Sequence, residues 1–285
     1  MAELQNPTSV PDTREELIRA IHEIRKWESE QKDLWFWEKL GRLPFVLLDK
    51  LTPAFVQKKI GLIVNELGSY IQTGGRYLIS KKAVLSRLGA SGEALGSDLM
   101  ERLPLSRMDQ AADKLARDRS GFAAVQGAAT GFGGVFTLAA DIPAVLGLSL
   151  KCIGEIALCY GYDPHEKQER IFAVKVLQFA SSDIVGKKAV LDELSAFHSG
   201  EGPRQVISEL KGWMEVVQVY RDNFGWKKLF QMVPVAGMVF GSLINRSTLQ
   251  DVAEAGKMLY RKRRAMERLE LLDSPKISDS EISPE

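Results

Sequence analysis

The sequence has few cysteines. Its 285 residues include only Cys152 and Cys159. If both lie on one helix, their Cα atoms are about 10 Å apart along its axis, beyond the roughly 7 Å limit for a disulfide. This spacing excludes a disulfide framework and indicates a reducing compartment, in which both thiols serve as small core residues.

The sequence also lacks a charge excess of either sign. Its 38 Lys and Arg residues oppose 37 Asp and Glu residues, so the formal net charge is +1. Such a chain has no overall positive field to attract nucleic acid, and no basic reading helix with a second basic face occurs. The N-terminal segment is polar and acidic, without the features of a signal peptide. These observations predict a cytoplasmic protein that does not bind nucleic acid.

Catalytic and metal-binding motifs are missing as well. The sequence contains no GxSxG, HExxH or GK[ST] motif. Its three histidines have no ligand spacing to one another or to the cysteines, so we expect no metal and no cofactor. The run Gly131-Phe-Gly133-Gly134 is not a phosphate loop, because Phe136 replaces the third glycine of GxGxxG and no strand pattern precedes it.

Strand patterns are absent, whereas helical patterns recur, which predicts an all-α fold. Asp12 and Thr13 are both candidate N-caps, and Glu15 and Glu16 are placed to complete a capping box. Apolar residues follow at helical spacing up to Trp27. Glycines mark loops over 73–97. Further helices are predicted over 106–119, from Asp163 and Pro164 to about 182, and over 187–198, 203–222, 226–243 and 248–271. We expect residues 12–271 to form a single helical domain, with disordered segments at 1–11 and 272–285.

The domain is predicted to be built around a Gly/Ala-rich apolar helical hairpin from Gly121 to Asp163. No charge occurs from Gly121 to Ala140. Asp141 and Pro143 then interrupt the apolar pattern, as an N-cap and a first-turn proline do. A second apolar run continues to Tyr160. Asp163 and Pro164 have the same pattern as the cap and first residue of the following helix.

The first limb of this hairpin has the length of a membrane span, about 30 Å. Its five glycines weaken its apolar character. The second limb carries Lys151 and Glu155, either of which costs about 2.5–3.5 kcal/mol at the bilayer centre. Two independent spans are therefore disfavoured. The sequence leaves open whether the hairpin lies in a protein core or dips into one leaflet.

Small residues recur at a spacing that favours close helix packing. One such element is Gly127-Ala-Ala-Thr-Gly131, extended by Gly133 and Gly134, and the other is Gly237-Met-Val-Phe-Gly241. We expect these two elements to pack against each other.

Two further features suggest contact with a membrane surface. Trp35, Phe36 and Trp37 diverge by about 100° per residue on a helix, so the three rings cannot all face one core. Either two of them pack on neighbouring helices and one is half exposed, or the cluster is an anchor at the membrane interface. The cluster Arg261, Lys262, Arg263 and Arg264 is either a solvated helix end or a contact for anionic lipid, worth about 1 kcal/mol per residue. On the second interpretation, replacing the four cations with glutamine should weaken membrane binding without unfolding the protein.

Two runs of residues resemble the signatures of a known family. The first contains Gly127-Ala-Ala-Thr-Gly131, Asp141-Ile-Pro143 and Tyr160-Gly-Tyr-Asp-Pro164, and the second contains Val233-Pro-Val-Ala-Gly237, Asn245 and Tyr260-Arg-Lys-Arg263. Together they resemble the EcsC protein family over residues 15–268, although Val233 stands where isoleucine is common. The resemblance implies a cytoplasmic or membrane-associated protein and no established catalytic residue.

These observations favour a non-enzymatic, membrane-associated helical protein, peripheral on the inner face of the membrane, that supports transport or envelope homeostasis. Its expected partners are anionic lipid and a membrane protein. Two alternatives remain open. One is an enzyme with a site near Asp141, Glu155 and Asn245. The other is a soluble helical module that binds an apolar ligand or a partner helix.

Overall fold

The computed structural model describes residues 10–32, 66–74, 79–89, 97–130, 142–181, 184–196 and 248–273. Within these ranges the chain is helical and contains no strand, which confirms the all-α class. The Gly/Ala-rich hairpin lies partly outside the described residues, so its geometry stays a prediction.

The helices are numbered here in chain order. They are α1 (Arg14–Lys32), α2 (66–73), α3 (Lys81–Leu88), α4 (Ser97–Arg102), α5 (Leu105–Thr130), α6 (Ile142–Cys159), α7 (Lys167–Ser181), α8 (Ile184–Ala196) and α9 (Thr248–Asp273).

Helix α9 lies at the centre of the described structure. It packs against α1, α5, α6 and α7, while α7 also contacts α6 and α8. Its buried residues Val252, Ala255 and Leu259 recur at intervals of three and four, which places them on one face of a helix. Because four helices pack against α9, its side chains connect parts of the chain that are far apart in the sequence.

The start of α1 follows the capping box predicted for it. The Thr13 hydroxyl accepts from the Glu16 amide at 3.3 Å, and the Glu16 carboxylate accepts from the Thr13 amide at 2.8 Å. Asp12, the other candidate cap, instead accepts a hydrogen bond from the Leu105 amide at 2.8 Å and pairs with Arg268. The residue before the cap therefore joins α1 to α5 and α9.

Helix α5 is longer than the predicted helix 106–119. It continues through Gly121 to Thr130 without a break. The predicted apolar face is confirmed, since Met108, Ala111 and Leu115 are buried. One interior glycine costs only about 1 kcal/mol of helix stability, too little to end a helix anchored by such a face.

Helix α3 lies within the segment predicted to be a loop. The Ser80 hydroxyl caps its N-terminus by accepting from the Ala83 amide at 3.2 Å. Gly89 ends it with a φ of +77°, a conformation that suits glycine. The glycines around this helix led to the prediction of a loop, although one of them, Gly89, ends a short helix.

The start predicted for α7 is wrong by three residues. The helix begins at Lys167, not at Pro164. The Asp163 carboxylate does accept a local amide, but it is that of His165, at 2.9 Å. Asp163 and Pro164 therefore form a separate turn before the helix.

The structure bears on two expectations, one about the cysteines and one about membrane-spanning helices. Cys152 and Cys159 are both free and buried, as predicted, and burial raises the pKa of Cys159 to about 12, which keeps it protonated. Among the described helices, none combines the length and apolar character needed to cross a bilayer.

Candidate functional site

The most polar part of the core lies where α9 meets the turn after α6. We call it the tyrosine–arginine junction and define it by residues that come from α5, α7, α9 and that turn. They are Asp109, Tyr160, Tyr162, Glu169, Tyr260, Arg261, Arg263 and Glu267.

The turn after α6 directs two tyrosines into the core. Gly161 has a φ of +88°. The Tyr162 amide donates to the Ala157 carbonyl at 3.0 Å and the Gly161 amide to the Leu158 carbonyl at 3.1 Å, which is a Schellman motif. Tyr160 and Tyr162 are both buried as a result.

Tyr160 connects to the N-terminal helix through a chain of charged groups. Its hydroxyl donates to Asp109 Oδ1 at 2.7 Å. Asp109 Oδ2 lies 2.9 Å from Arg261 Nε, and another Arg261 nitrogen lies 2.9 Å from Glu23. Burial raises the pKa of Asp109, although Arg261 opposes the shift. The chain links the turn to α5, α9 and α1.

Tyr162 anchors a second chain of charged groups. Its hydroxyl donates to Glu267 Oε2 at 2.8 Å, and Glu267 Oε1 accepts from Arg263 Nε at 3.1 Å. Arg263 also donates to Glu169 Oε1 at 2.7 Å. Its guanidinium carbon lies 4.1 Å from the centroid of the Tyr162 ring, within the range of a cation–π contact. Arg263 therefore joins α9 to α7 and to the turn.

Tyr260 completes the junction on its apolar side. Its ring centroid lies 4.7 Å from that of Phe172 and 5.4 Å from that of Tyr162. Among the residues that the structure describes, the Tyr260 hydroxyl and Glu169 Oε2 are buried without a hydrogen-bond partner. Burial raises the pKa of Tyr260, so its hydroxyl stays neutral.

The basic cluster 261–264 is therefore held by carboxylates of this chain. Besides the pairs of Arg261 and Arg263, Lys262 lies 2.7 Å from Glu28, and Arg264 lies 3.6 Å from Glu267 and donates to the Met100 carbonyl at 3.1 Å. The four side chains are only 14 to 23% exposed. The lipid contact stays a prediction, but the solvated helix end is wrong, because these cations face neighbouring helices.

The remaining predicted site residues that the structure describes do not join the junction. Gly127 lies within α5 and Pro143 in the first turn of α6. Glu155 lies in α6 and is fully buried. Several of the predicted residues fall outside the described ranges, and their roles in packing, capping, membrane contact or catalysis stay predictions: Trp35, Trp37, Gly131, Gly133, Gly134, Asp141, Gly237, Gly241 and Asn245.

The family follows from comparison with known proteins. The EcsC protein family model matches residues 18–265. The chain belongs to the EcsC protein family. Uncharacterized protein YdbA of Bacillus subtilis (strain 168) is 55% identical over 264 residues, which is 90% of this chain and 96% of that protein. Protein EcsC of the same organism is 31% identical over 180 residues, 63% of this chain and 73% of that protein. No solved structure matches the chain.

The two runs that resemble EcsC signatures meet at the junction. Tyr160 and Tyr162 come from the first run, and Tyr260, Arg261 and Arg263 come from the second. They are about a hundred residues apart in sequence, but the Tyr162 ring contacts Tyr260 and Arg263, and Tyr160 and Arg261 share the carboxylate of Asp109. In this EcsC protein the signatures therefore hold α6, α7 and α9 together.

The acidic partners are the part of the junction that sequence reasoning missed. Asp109, Glu169 and Glu267 lie on three helices and belong to no motif. Glu169 is the most buried of them, with a side chain 4% exposed. Pairing over such separations leaves no local sequence signal.

The variant Glu169→Gln tests how the raised pKa of the Glu169 carboxyl makes stability depend on pH. Burial raises the pKa of Glu169 above its ordinary 4.5, although Arg263 opposes the shift. A raised carboxyl pKa in the folded state contributes stability that is present below the unfolded pKa and lost as the pH rises through the folded pKa. We therefore expect the difference in the free energy of unfolding, wild type minus Glu169→Gln, to fall as the pH rises from below 4.5. Urea unfolding of both proteins across the acid range measures it, and a rise in that difference with pH would contradict it.

Proposed function

We propose that this EcsC protein is a non-enzymatic helical protein that associates with the membrane surface, where it supports transport or envelope homeostasis. Its apolar segments form the contact, and the tyrosine–arginine junction holds α5, which carries residues 121–130 of the longest of them. The observation that carries the proposal is the loss of charged residues along α5. The helix is charged up to Arg119, whereas its residues 121–130 are uncharged and lead into a run without charge up to Ala140.

The arrangement of polar groups supports a structural role for the junction. Each of its arginines faces carboxylates of other helices, and Tyr160 and Tyr162 donate to carboxylates. Burial raises the pKa of both tyrosines, so neither is a nucleophile near neutral pH. A group that is satisfied by its own chain is poorly placed to bind or transform a substrate.

The pairing of Arg261, Lys262, Arg263 and Arg264 also bears on how the membrane is bound. Because their charges are neutralised internally, the attraction of this cluster to anionic headgroups is reduced. The uncharged run 121–140 and the aromatic pair Trp35 and Trp37 are the features that favour association through apolar contact. Contact of this kind is insensitive to salt, since no charge is screened.

Vesicle flotation tests this proposal. We expect the wild-type protein to float with phosphatidylcholine vesicles and to remain bound at high salt. The double variant Trp35→Ser/Trp37→Ser should bind less. A matched control is Leu271→Ser/Leu272→Ser, which removes two exposed apolar side chains at the end of α9 and should leave binding unchanged.

Failure of the wild type to float with neutral or anionic vesicles at any salt concentration would reject membrane association. The protein would then be a soluble helical module, and a search for an apolar ligand or a partner helix would follow.

A further inference from the structure

Two polar atoms of the junction lack a hydrogen-bond partner in the part of the chain that the structure describes. They are the hydroxyl oxygen of Tyr260 and Oε2 of Glu169. Tyr260 is fully buried and Glu169 is 3% exposed, so bulk solvent reaches neither atom. Arg263 binds the same carboxylate, but it donates to the other oxygen, Oε1, at 2.7 Å. Because a buried polar atom without a partner costs free energy, binding of a small polar molecule at these two atoms is favourable.

The contacts between α7 and α9 place the two residues side by side. The Tyr260 ring lies 4.7 Å from the ring of Phe172, measured between centroids. Arg263, three residues after Tyr260 on α9, pairs with Glu169. Glu169 in turn lies three residues before Phe172 on α7, and residues at this spacing share one face of a helix. Tyr260 therefore lies one helical turn from the pair of Arg263 and Glu169.

Electrostatic coupling supports this proximity. Burial is the main cause that raises the pKa of Tyr260, and the negative charge of Glu169 is the next. Burial also raises the pKa of Tyr70 on α2; Arg170 opposes this shift, and the charge of Glu169 adds to it. A charge shifts the pKa of a group mainly when the two are only a few ångströms apart. Polar side chains from α2, α7 and α9 therefore lie close together in the core.

We propose that the protein binds a single internal water molecule between the Tyr260 hydroxyl and Glu169 Oε2. The hydroxyl donates a hydrogen bond to the water oxygen, and the water donates one to the carboxylate oxygen. Internal waters bind in this way to two or more buried polar groups that would otherwise be unsatisfied. The charge of the carboxylate repels an anion, whereas water both accepts and donates and so satisfies the two atoms together.

The bound water would give α7 and α9 a second polar link. The first link is the ion pair of Arg263 and Glu169, which uses Oε1. The second uses Oε2 and depends on the hydroxyl of Tyr260 in place of a cation. Both atoms are inside the protein, so this link is independent of any contact with a membrane.

The variant Tyr260→Phe tests the site through the sign of its effect on stability. If the hydroxyl binds nothing, its removal takes away an unsatisfied polar group, and the variant is as stable as the wild type or more stable. If the hydroxyl binds the water, its removal breaks the link and leaves Glu169 Oε2 without a partner. We expect the second result, with the ratio of folded to unfolded protein lowered by about five- to thirtyfold in urea unfolding.

Tyr162→Phe is the matched control in the same junction. The Tyr162 hydroxyl donates directly to Glu267 at 2.8 Å, so its loss should destabilise the protein whether or not the water is bound. A destabilised Tyr162→Phe together with an unaffected or more stable Tyr260→Phe would overturn the proposal.

A crystal structure of the wild type, at a resolution that shows ordered water, tests the site directly. We expect one density peak at about 2.5–3.0 Å from both the Tyr260 hydroxyl oxygen and Glu169 Oε2. The peak should be lost in the structure of Tyr260→Phe. The proposal is wrong if no peak lies between the two atoms, if they bond each other directly, or if the density there is larger than one water molecule.

Discussion

Replacing Arg261, Lys262, Arg263 and Arg264 together with glutamine is expected to unfold the protein. The change leaves the carboxylates of Glu28, Asp109 and Glu169 buried without their cations. Breaking a fully buried pair costs about 3–5 kcal/mol. The pairs with the more exposed Glu23 and Glu267 contribute less, because solvent screens them. A combined loss of about 5 kcal/mol or more approaches the whole stability of a typical domain.

This result reverses the outcome expected if the cluster contacted lipid, in which the fourfold variant stays folded and only its membrane binding falls. Circular dichroism and urea unfolding distinguish the two outcomes. The control is Arg19→Gln/Arg25→Gln/Lys26→Gln, which removes exposed cations and should remain as stable as the wild type within about 1 kcal/mol. A folded fourfold variant with an unchanged midpoint would show that the ion pairs do not hold the helices.

The second large effect is expected for Arg268→Gln. The Arg268 side chain is 3% exposed and pairs with Asp12, whose side chain is 5% exposed. It also donates to the carbonyls of Met100 and Leu103 at 3.1 and 2.7 Å. Its loss strands a buried carboxylate and two carbonyls, so we expect a destabilisation of about 3–5 kcal/mol by urea unfolding.

Arg14→Gln is the matched control for that variant. Arg14 pairs with Asp273 between the same two parts of the chain, but both side chains are more than half exposed. Exposed pairs contribute about 0–1 kcal/mol, so this variant should remain close to the wild type. Equal effects of the two substitutions would mean that burial does not determine the strength of these contacts.

The sequence predicted the helices that carry a strong local pattern. The capping box at Thr13 and the apolar spacing up to Trp27 located α1, and α9 extends only two residues beyond its predicted end. These signals are local, because capping and helical periodicity involve residues within a few positions of one another. The start of α7 was misplaced because an Asp-Pro pair suits a turn as well as a helix start.

The junction could not be predicted, because its contacts join residues that are far apart in the sequence. A run of four cations looks the same in sequence whether it is solvated or paired, and the pairing of Arg263 with Glu169 spans 94 residues. The available clue was the recurrence of tyrosines in the two EcsC signatures, at Tyr160, Tyr162 and Tyr260. Only the packing of α9 against α5, α6 and α7 shows that these residues meet.

The most direct test of the junction is a double-mutant cycle between Arg263 and Glu169. Urea unfolding of the wild type, Arg263→Gln, Glu169→Gln and the double variant gives the energy by which the two residues depend on each other. We expect a coupling of about 1–3 kcal/mol, with the double variant more stable than the sum of the single effects predicts. Additive single effects, with a coupling indistinguishable from zero, would contradict the conclusion that the basic cluster of α9 is an internal junction between helices.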